Sequence, residues 1–79
     1  MNAKIKTEDF TRGFDRGNYG NVYETEDWDT FYCRQPLGDS EDYHEGLLLG
    51  FFSSYELEEI VDNAAAEMVH TLRAKWGES

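Results

Sequence analysis

The last third of the chain has the clearest helical pattern. Its apolar residues recur at steps of three and four, which a helical period of 3.6 residues gathers onto one face; they are Leu57, Ile60, Val61, Ala64, Ala65, Met68 and Leu72. Ser53 and Glu56 have the spacing of a capping box at the start, and Gly77 is suited to end the helix. The pattern predicts one long helix over residues 54–76 that buries this face against the rest of the chain.

Two earlier segments share an arrangement of glycines and apolar residues, 33 positions apart. An aromatic residue, a glycine, an apolar residue and a second glycine stand at i, i+3, i+4 and i+7, first at Phe10, Gly13, Phe14 and Gly17 and again at Tyr43, Gly46, Leu47 and Gly50. These offsets share one helical face. They predict helices over residues 8–23 and 41–52 whose glycines let another helix approach closely, with a chance match as the alternative.

A β-hairpin in residues 18–34 is the other interpretation of the first half. The segments NVYET and TFYCR would be its strands, because Tyr, Val, Thr and Phe favour strands and the two asparagines disfavour a helix. The predicted fold is mostly α, a small compact helical domain with a long C-terminal helix. An α+β domain with the short hairpin remains the alternative. We expect residues 1–79 to form one domain, with residues 1–6 as a flexible arm.

The second glycine segment continues into apolar residues that cover almost the whole circumference of a helix: Leu47, Leu48, Leu49, Phe51 and Phe52. A helix that is apolar all round needs partners on every side, and a chain of 79 residues offers little material to supply them. This pattern predicts that part of the surface contacts another protein or a second copy of the chain.

The charge is strongly acidic. Seventeen acidic residues stand against seven basic ones, for a net charge of −10, and between Gly17 and Leu72 there are 13 acidic residues and a single base, Arg34. Lys and Arg make the contacts to phosphate groups, so this composition disfavours direct binding to nucleic acid or to an anionic membrane. The single cysteine, the absence of a long apolar run and a polar amino-terminal segment predict a cytoplasmic protein without a signal peptide.

Candidate chemistry is sparse. Glu41 with His44 and Glu67 with His70 form two Glu-x-x-His pairs, which are half of the carboxylate di-iron pattern. On a helical wheel, however, His70 points away from the apolar face, whereas ligands of a buried metal pair must project inward. Cys33 has no histidine on an obviously shared element, and no phosphate loop or zinc finger is present. We therefore expect no cofactor, no metal site and no catalytic residue.

Three acid-rich runs interleave carboxylates with aromatic side chains: ETEDWD at residues 24–29, DSEDYHE at 39–45 and YELEE at 55–59. Ordinary surfaces intersperse both signs of charge, and like charges at this density repel one another. Recognition of a basic, nucleic-acid-binding protein is a gain that would offset the repulsion. The predicted contact residues, with Trp28 and Tyr43 as aromatic anchors, are Glu24, Glu26, Asp27, Trp28, Asp29, Asp39, Glu41, Asp42, Tyr43, Glu45, Glu56, Glu59 and Asp62.

On these three runs the chain resembles small acidic phage proteins that disarm host defences. The resemblance is to anti-CRISPR proteins acting on type I surveillance complexes, with type I-C as one candidate system, and less closely to anti-restriction DNA mimics. It covers about half of the chain and is one of size and charge. It implies a non-enzymatic inhibitor that occupies the DNA-binding surface of the effector complex. The alternative class is a small cytosolic adaptor or homodimeric interaction protein.

Overall fold

The computed structural model describes residues 5–36 and 38–77, and this part of the chain contains four α-helices. They are α1 at Glu8–Tyr19, α2 at Trp28–Cys33, α3 at Glu41–Phe51 and α4 at Asn63–Trp76. A π-helical turn, Gly20–Glu24, continues α1, and a 3-10 turn, Leu57–Glu59, precedes α4. The prediction of a compact, mostly α domain with a long C-terminal helix is confirmed. Of the predicted arm, residues 1–4 lie outside the described residues.

The alternative of a β-hairpin in residues 18–34 is wrong, because this segment contains the end of α1, the π-helical turn and α2. The chain reverses at Thr25, whose φ of 53° is left-handed. Asp27 then precedes α2 in an extended conformation, and its carboxylate accepts a hydrogen bond from the hydroxyl of Thr30 at 2.7 Å. The acidic EDWD segment is therefore a helix start, where carboxylates are favoured by the helix dipole.

Helices α1 and α3 pack closely through the glycines of the two repeats. A Cβ atom on Gly13 would overlap the carbonyl oxygen of Tyr43, and one on Gly46 would overlap the carbonyl oxygen of Phe10. Because Phe10 and Tyr43 hold the same position in the two repeats, each helix presents the same surface to the other. The predicted close approach is confirmed, and its partner in each case is the other repeat.

The same symmetry governs the helix caps. Thr7 caps α1 and Ser40 caps α3, each accepting a hydrogen bond from the backbone N–H three residues on. Each cap hydroxyl also donates to a carboxylate of the other helix, Thr7 to Asp42 at 2.9 Å and Ser40 to Asp9 at 2.8 Å. Asp9 and Asp42 are again 33 positions apart. The amino ends of α1 and α3 are therefore joined by two equivalent hydrogen bonds.

Helices α1 and α3 are parallel, since their carboxyl ends also meet. There Asn18 Nδ2 donates to Ser53 Oγ at 3.1 Å. A parallel pair needs a connection that returns the chain to the starting end, and the segment containing the π-helical turn and α2 supplies it. This connection packs on α3 through aromatic side chains, and the rings of Phe31 and Phe51 lie 5.1 Å apart.

Helix α4 is shorter than the predicted helix over residues 54–76. It begins at Asn63, after Asp62 has capped its first turn. The capping box lies at Glu56 and Glu59 of the 3-10 turn and not at Ser53 and Glu56 as predicted, and Glu56 N–H donates to Glu59 Oε1 at 2.9 Å. Two sets of capping interactions in succession thus end one short helix and start another, and the extended Ile60 between them is buried.

This break changes which face of the C-terminal segment is buried. The buried residues of α4 are Ala65, Val69, Leu72 and Trp76, and Trp76 stacks on Phe10 at 4.1 Å. The prediction is confirmed for Ile60, Ala65 and Leu72, and Leu57 is partly buried. It is wrong for Val61, Ala64 and Met68, which are exposed, with 95% of Val61 and 54% of Met68 accessible. Val61 precedes the helix and therefore does not share the helical phase that the sequence suggested.

The predicted contact surface on residues 47–52 is also wrong. Leu48, Leu49 and Phe52 are all buried within this one chain, with Leu49 only 2% exposed. Helix α3 lies at the centre of the fold, with α1 against its glycines, α4 on another side and Trp28 and Phe31 over its end. The chain supplies enough aromatic side chains to cover a helix that is apolar all round. Among the described residues no helix has the length and apolarity needed to cross a bilayer.

Candidate functional site

Two adjoining cavities lie between the start of α2 and the segment that enters α4. Their volumes are about 370 and 320 Å³, and both are lined by Trp28, Asp29 and Asp62. Together they form one groove, which we call the Trp28 groove. Helices α3 and α4 complete the larger cavity, and the turn before α4 completes the smaller one.

The Trp28 groove has apolar walls and an acidic lining. Leu48, Met68 and Leu72 contribute to the larger cavity, and Phe52 and Ile60 to the smaller one. The two cavities are also lined by seven carboxylates, and no Lys or Arg is among their described lining residues. The seven are Glu26, Asp27, Asp29, Glu41, Glu45, Glu59 and Asp62. The groove thus combines apolar surface with a strong excess of negative charge.

All three acid-rich runs reach this groove. Residues 24–29 contribute three carboxylates and Trp28, residues 39–45 contribute Glu41 and Glu45, and the third run contributes Glu59 with Asp62 just beyond it. Eight of the 13 predicted contact residues therefore lie together. The convergence arises because α2 and the turn before α4 both pack on the end of α3, which no local sequence pattern reveals.

Four of the other predicted contact residues are engaged within the fold. Glu24 accepts from Arg16 at 3.2 Å and from Arg34 at 3.1 Å, and the hydrogen bond from Arg16 is the main cause that lowers the pKa of Glu24. Asp39 pairs with Arg12 at 3.4 Å. Asp42 accepts from the hydroxyl of Thr7, and Glu56 belongs to the capping box.

Tyr43 lies away from the groove and is not an exposed anchor. It is only 6% exposed, and the guanidinium of Arg12 lies 4.6 Å from the centroid of its ring. The sequence pattern failed here because Tyr43 belongs to the glycine repeat, whose face is covered by α1. Trp28 is therefore the one predicted aromatic anchor that lines the groove.

Trp28 is held in place by other aromatic rings. Its ring stacks on Tyr32 at 5.1 Å and meets Phe51 edge-on at 5.3 Å. The Tyr32 hydroxyl in turn lies 3.4 Å from Nδ1 of His44. Trp28 remains half-buried, so part of the indole forms the wall that the two cavities share. Such a rigid, partly exposed indole loses little conformational entropy when it contacts a ligand.

Several groove carboxylates are fixed by hydrogen bonds. Glu45 accepts from Lys75 at 2.9 Å and from Trp76 Nε1 at 2.8 Å, and Glu26 accepts from Arg34. The hydroxyl of Thr30 is the main cause that lowers the pKa of Asp27. This bond favours the ionised form of Asp27.

Asp29 and Glu41 have no ion pair with any Lys or Arg in the described part of the chain. Both side chains belong to exposed residues at helix starts, where the dipole favours their charge. Lys75 donates to Glu45, and the charge of Glu41 contributes to the raised pKa of Lys75 without a direct ion pair. Asp29 and Glu41 thus line the larger cavity without an ion pair of their own.

Sequence reasoning missed the apolar wall of the groove, because it assigned Met68 to the core. The start of a new helix could have been predicted from Asp62 and Asn63, because both residue types favour the helix N-cap.

Histidine and cysteine have no shared site in the described residues, where no group of three or more His, Cys, Asp or Glu side chains is arranged to hold a metal ion. His70 and Cys33 are exposed. Comparisons of this chain with protein-family models, curated proteins and solved structures gave no match.

Proposed function

We propose that this protein is a non-enzymatic inhibitor that binds the basic, nucleic-acid-binding surface of another protein. The expected target is a CRISPR surveillance complex in the bacterial cytoplasm, and the bound inhibitor blocks access of target DNA. The proposal is supported above all by the Trp28 groove, whose lining includes seven carboxylates without a described Lys or Arg.

Electrostatics favours such a partner. A surface lined by one sign of charge attracts the opposite sign over a distance and accelerates association. Binding to a basic surface would also relieve the repulsion that a net charge of −10 imposes on the free chain. Because the carboxylates are carried by helices and caps, their positions are set before the partner arrives, which reduces the entropic cost of binding.

The dimensions of the fold suit steric exclusion of DNA. Its backbone extends over 34 × 29 × 19 Å. One turn of duplex DNA is about 34–36 Å long. An inhibitor of this size covers about one turn of a DNA-binding channel, which is enough to prevent a duplex from entering there.

A phage-plating assay tests the proposal. Bacteria that carry an active type I system, beginning with type I-C, would express the chain and be infected with a phage that the system targets. Wild-type chain should restore plaque formation. Reversing two groove charges, by Asp29→Lys with Glu41→Lys, should abolish that effect, because a basic partner is then repelled at two positions that attracted it.

The fold provides a matched control. Glu8 is the first residue of α1 as Glu41 is of α3, and Asp15 is exposed and lines neither cavity of the groove. The pair Glu8→Lys with Asp15→Lys changes the net charge equally and should leave inhibition intact. If the two double variants inhibit to the same extent, the groove is not the contact surface.

A second candidate function is a small interaction protein or homodimer without a defence target. It is favoured by an exposed aromatic patch at the end of α1, where the rings of Tyr19 and Tyr23 lie 4.9 Å apart beside an exposed Val22. Sedimentation of the wild type and of Tyr23→Ser tests it. A dimer that the substitution dissociates would support this function.

A further inference from the structure

The larger cavity of the Trp28 groove places apolar and acidic groups within one space of about 370 Å³. Met68 is more than half exposed on one wall, and Leu48 lies on another. Asp29 and Glu41 line the same space, and neither forms an ion pair with a Lys or Arg of the described residues. A ligand that matches this cavity carries a positive charge at the end of an apolar stem. The charge alone would leave the apolar wall without a contact, and the stem alone would leave the carboxylates without one.

We propose that this cavity binds an arginine side chain of the partner protein. The aliphatic stem packs between Met68 and Leu48, and the guanidinium reaches the carboxylates of Asp29 and Glu41. The inference rests on the proposed function and gives its chemistry: the partner presents an arginine that contacts DNA when the inhibitor is absent.

Arginine fits the cavity better than lysine for three reasons. Its planar guanidinium has five donors and bonds carboxylates in pairs, whereas an ammonium is a compact point charge. The guanidinium is more weakly hydrated, so it enters a partly apolar cavity at a smaller desolvation cost. It also packs favourably on aromatic faces, and Trp28 and Tyr32 both line this cavity.

Burial of the stem makes a prediction that surface charge alone does not. Attraction between exposed charges is screened by salt, whereas apolar contact between the stem and Met68 is not. An arginine bound in the cavity therefore needs both its charge and its stem, and its affinity retains a component that salt does not remove.

Peptide titration followed by NMR tests the inference on the intact chain. The probe is a short peptide with one arginine beside one leucine, and the comparison peptide has citrulline, a neutral analogue of the same length, in place of arginine. The arginine peptide should shift the indole resonance of Trp28 and the methyl resonance of Met68 in a saturable manner. The amide of Thr11, which lines neither cavity of the groove, should not move.

The citrulline peptide should bind about tenfold more weakly or worse, since hydrogen bonds between charged groups are stronger than those of a neutral donor. The inference is overturned if the two peptides bind equally, which would mark a merely apolar cavity. It is also overturned if the arginine peptide shifts acidic residues over the whole surface without saturation, which would mark general attraction to a negative protein.

Matched variants divide the site into its two parts. Asp29→Asn removes a charge and Met68→Ser removes apolar wall, and each should weaken the arginine peptide by about fivefold or more, given the usual worth of one such contact. Asp15→Asn and Val22→Ser make the same changes outside the groove and should have no effect. Equal losses in both pairs would also overturn the inference.

The outcome is separable from that of the phage assay. If the arginine peptide fails to bind while Asp29→Lys with Glu41→Lys still abolishes inhibition, the arginine cavity is wrong and the inhibitor proposal stands. If the peptide binds as expected while the wild-type chain fails to restore plaque formation, the cavity stands and the inhibitor proposal is wrong.

Discussion

Gly13 lies directly against the carbonyl oxygen of Tyr43, so closely that a side chain of even one carbon would overlap it. The equivalent glycine 33 positions later, Gly46, lies in the same way against the carbonyl oxygen of Phe10. Helices α1 and α3 are thus a parallel pair related by internal two-fold symmetry, and their glycines are required by contact between the helices.

The first prediction follows from this contact. Gly13→Ala and Gly46→Ala should each lower the free energy of unfolding by about 1–3 kcal/mol, because overlap forces the helices apart. Alanine would otherwise stabilise a helix by about 1 kcal/mol relative to glycine. Urea unfolding measures the change. Gly38→Ala is the control, since its Cβ would meet open space; a Gly13→Ala variant more stable than wild type would contradict the packing.

The second prediction concerns the register of α4. Leu72→Ala should cost about 2–5 kcal/mol, because Leu72 is buried in the core. Met68→Ala should change stability by less than about 0.5 kcal/mol, because Met68 is exposed in the groove. If residues 54–76 formed one continuous helix with the predicted buried face, both substitutions would lower the free energy of unfolding strongly. Thermal or urea unfolding of the two variants therefore distinguishes the registers.

The third prediction concerns Glu45, whose carboxylate joins Lys75 and the indole N–H of Trp76. Glu45→Ala should lower the free energy of unfolding by about 1–3 kcal/mol, because it removes a carboxylate that accepts from both Lys75 and the indole of the buried Trp76. Glu45→Gln keeps an oxygen for that donor and should cost less. Hydrogen exchange of the Trp76 indole reports the loss directly, and equal exchange in all three proteins would contradict it.

The fourth prediction concerns pH. Arg16 and Arg34 lower the pKa of Glu24 below its usual value near 4.5. A carboxyl group whose pKa is lowered by folding stabilises the fold above its unfolded pKa, and loses that effect as pH falls through the folded value. The stability difference between wild type and Glu24→Gln should therefore be constant near neutral pH and shrink as the pH falls through the lowered pKa of Glu24. A difference that persists in acid would show that charge is not its cause.

The glycine pair was predictable because its determinants are local. The two repeats are recognisable from the spacing of their glycines, and Thr7 and Ser40 directly precede the two helices, where an N-cap residue is favoured. The break before α4 was harder to predict, because Ile60 and Val61 happen to continue the helical period of the residues after them. Glu56 and Asp62 are the N-caps of two separate helices, so the chain does not form the one continuous helix that this period suggests.

The candidate site was predictable in composition and not in shape. Its acidic residues and Trp28 stand out in the sequence, whereas Met68 and Leu48 join them only when α2, α3 and α4 are packed together. The sequence pattern also could not separate Glu41 from Asp39, although one faces the groove and the other pairs with Arg12. Ion pairs with a few Lys and Arg residues that are distant in sequence determine which of the many carboxylates lack an ion pair.

Pairs of helices joined through glycines four residues apart are also used between separate chains in membranes, where the two partners must first meet. Here Gly13 with Gly17 and Gly46 with Gly50 belong to one polypeptide, joined through the connection that contains α2. A short tether gives two surfaces an effective concentration in about the millimolar range. The pairing of α1 with α3 is therefore a unimolecular event, and dilution of the protein does not reverse it.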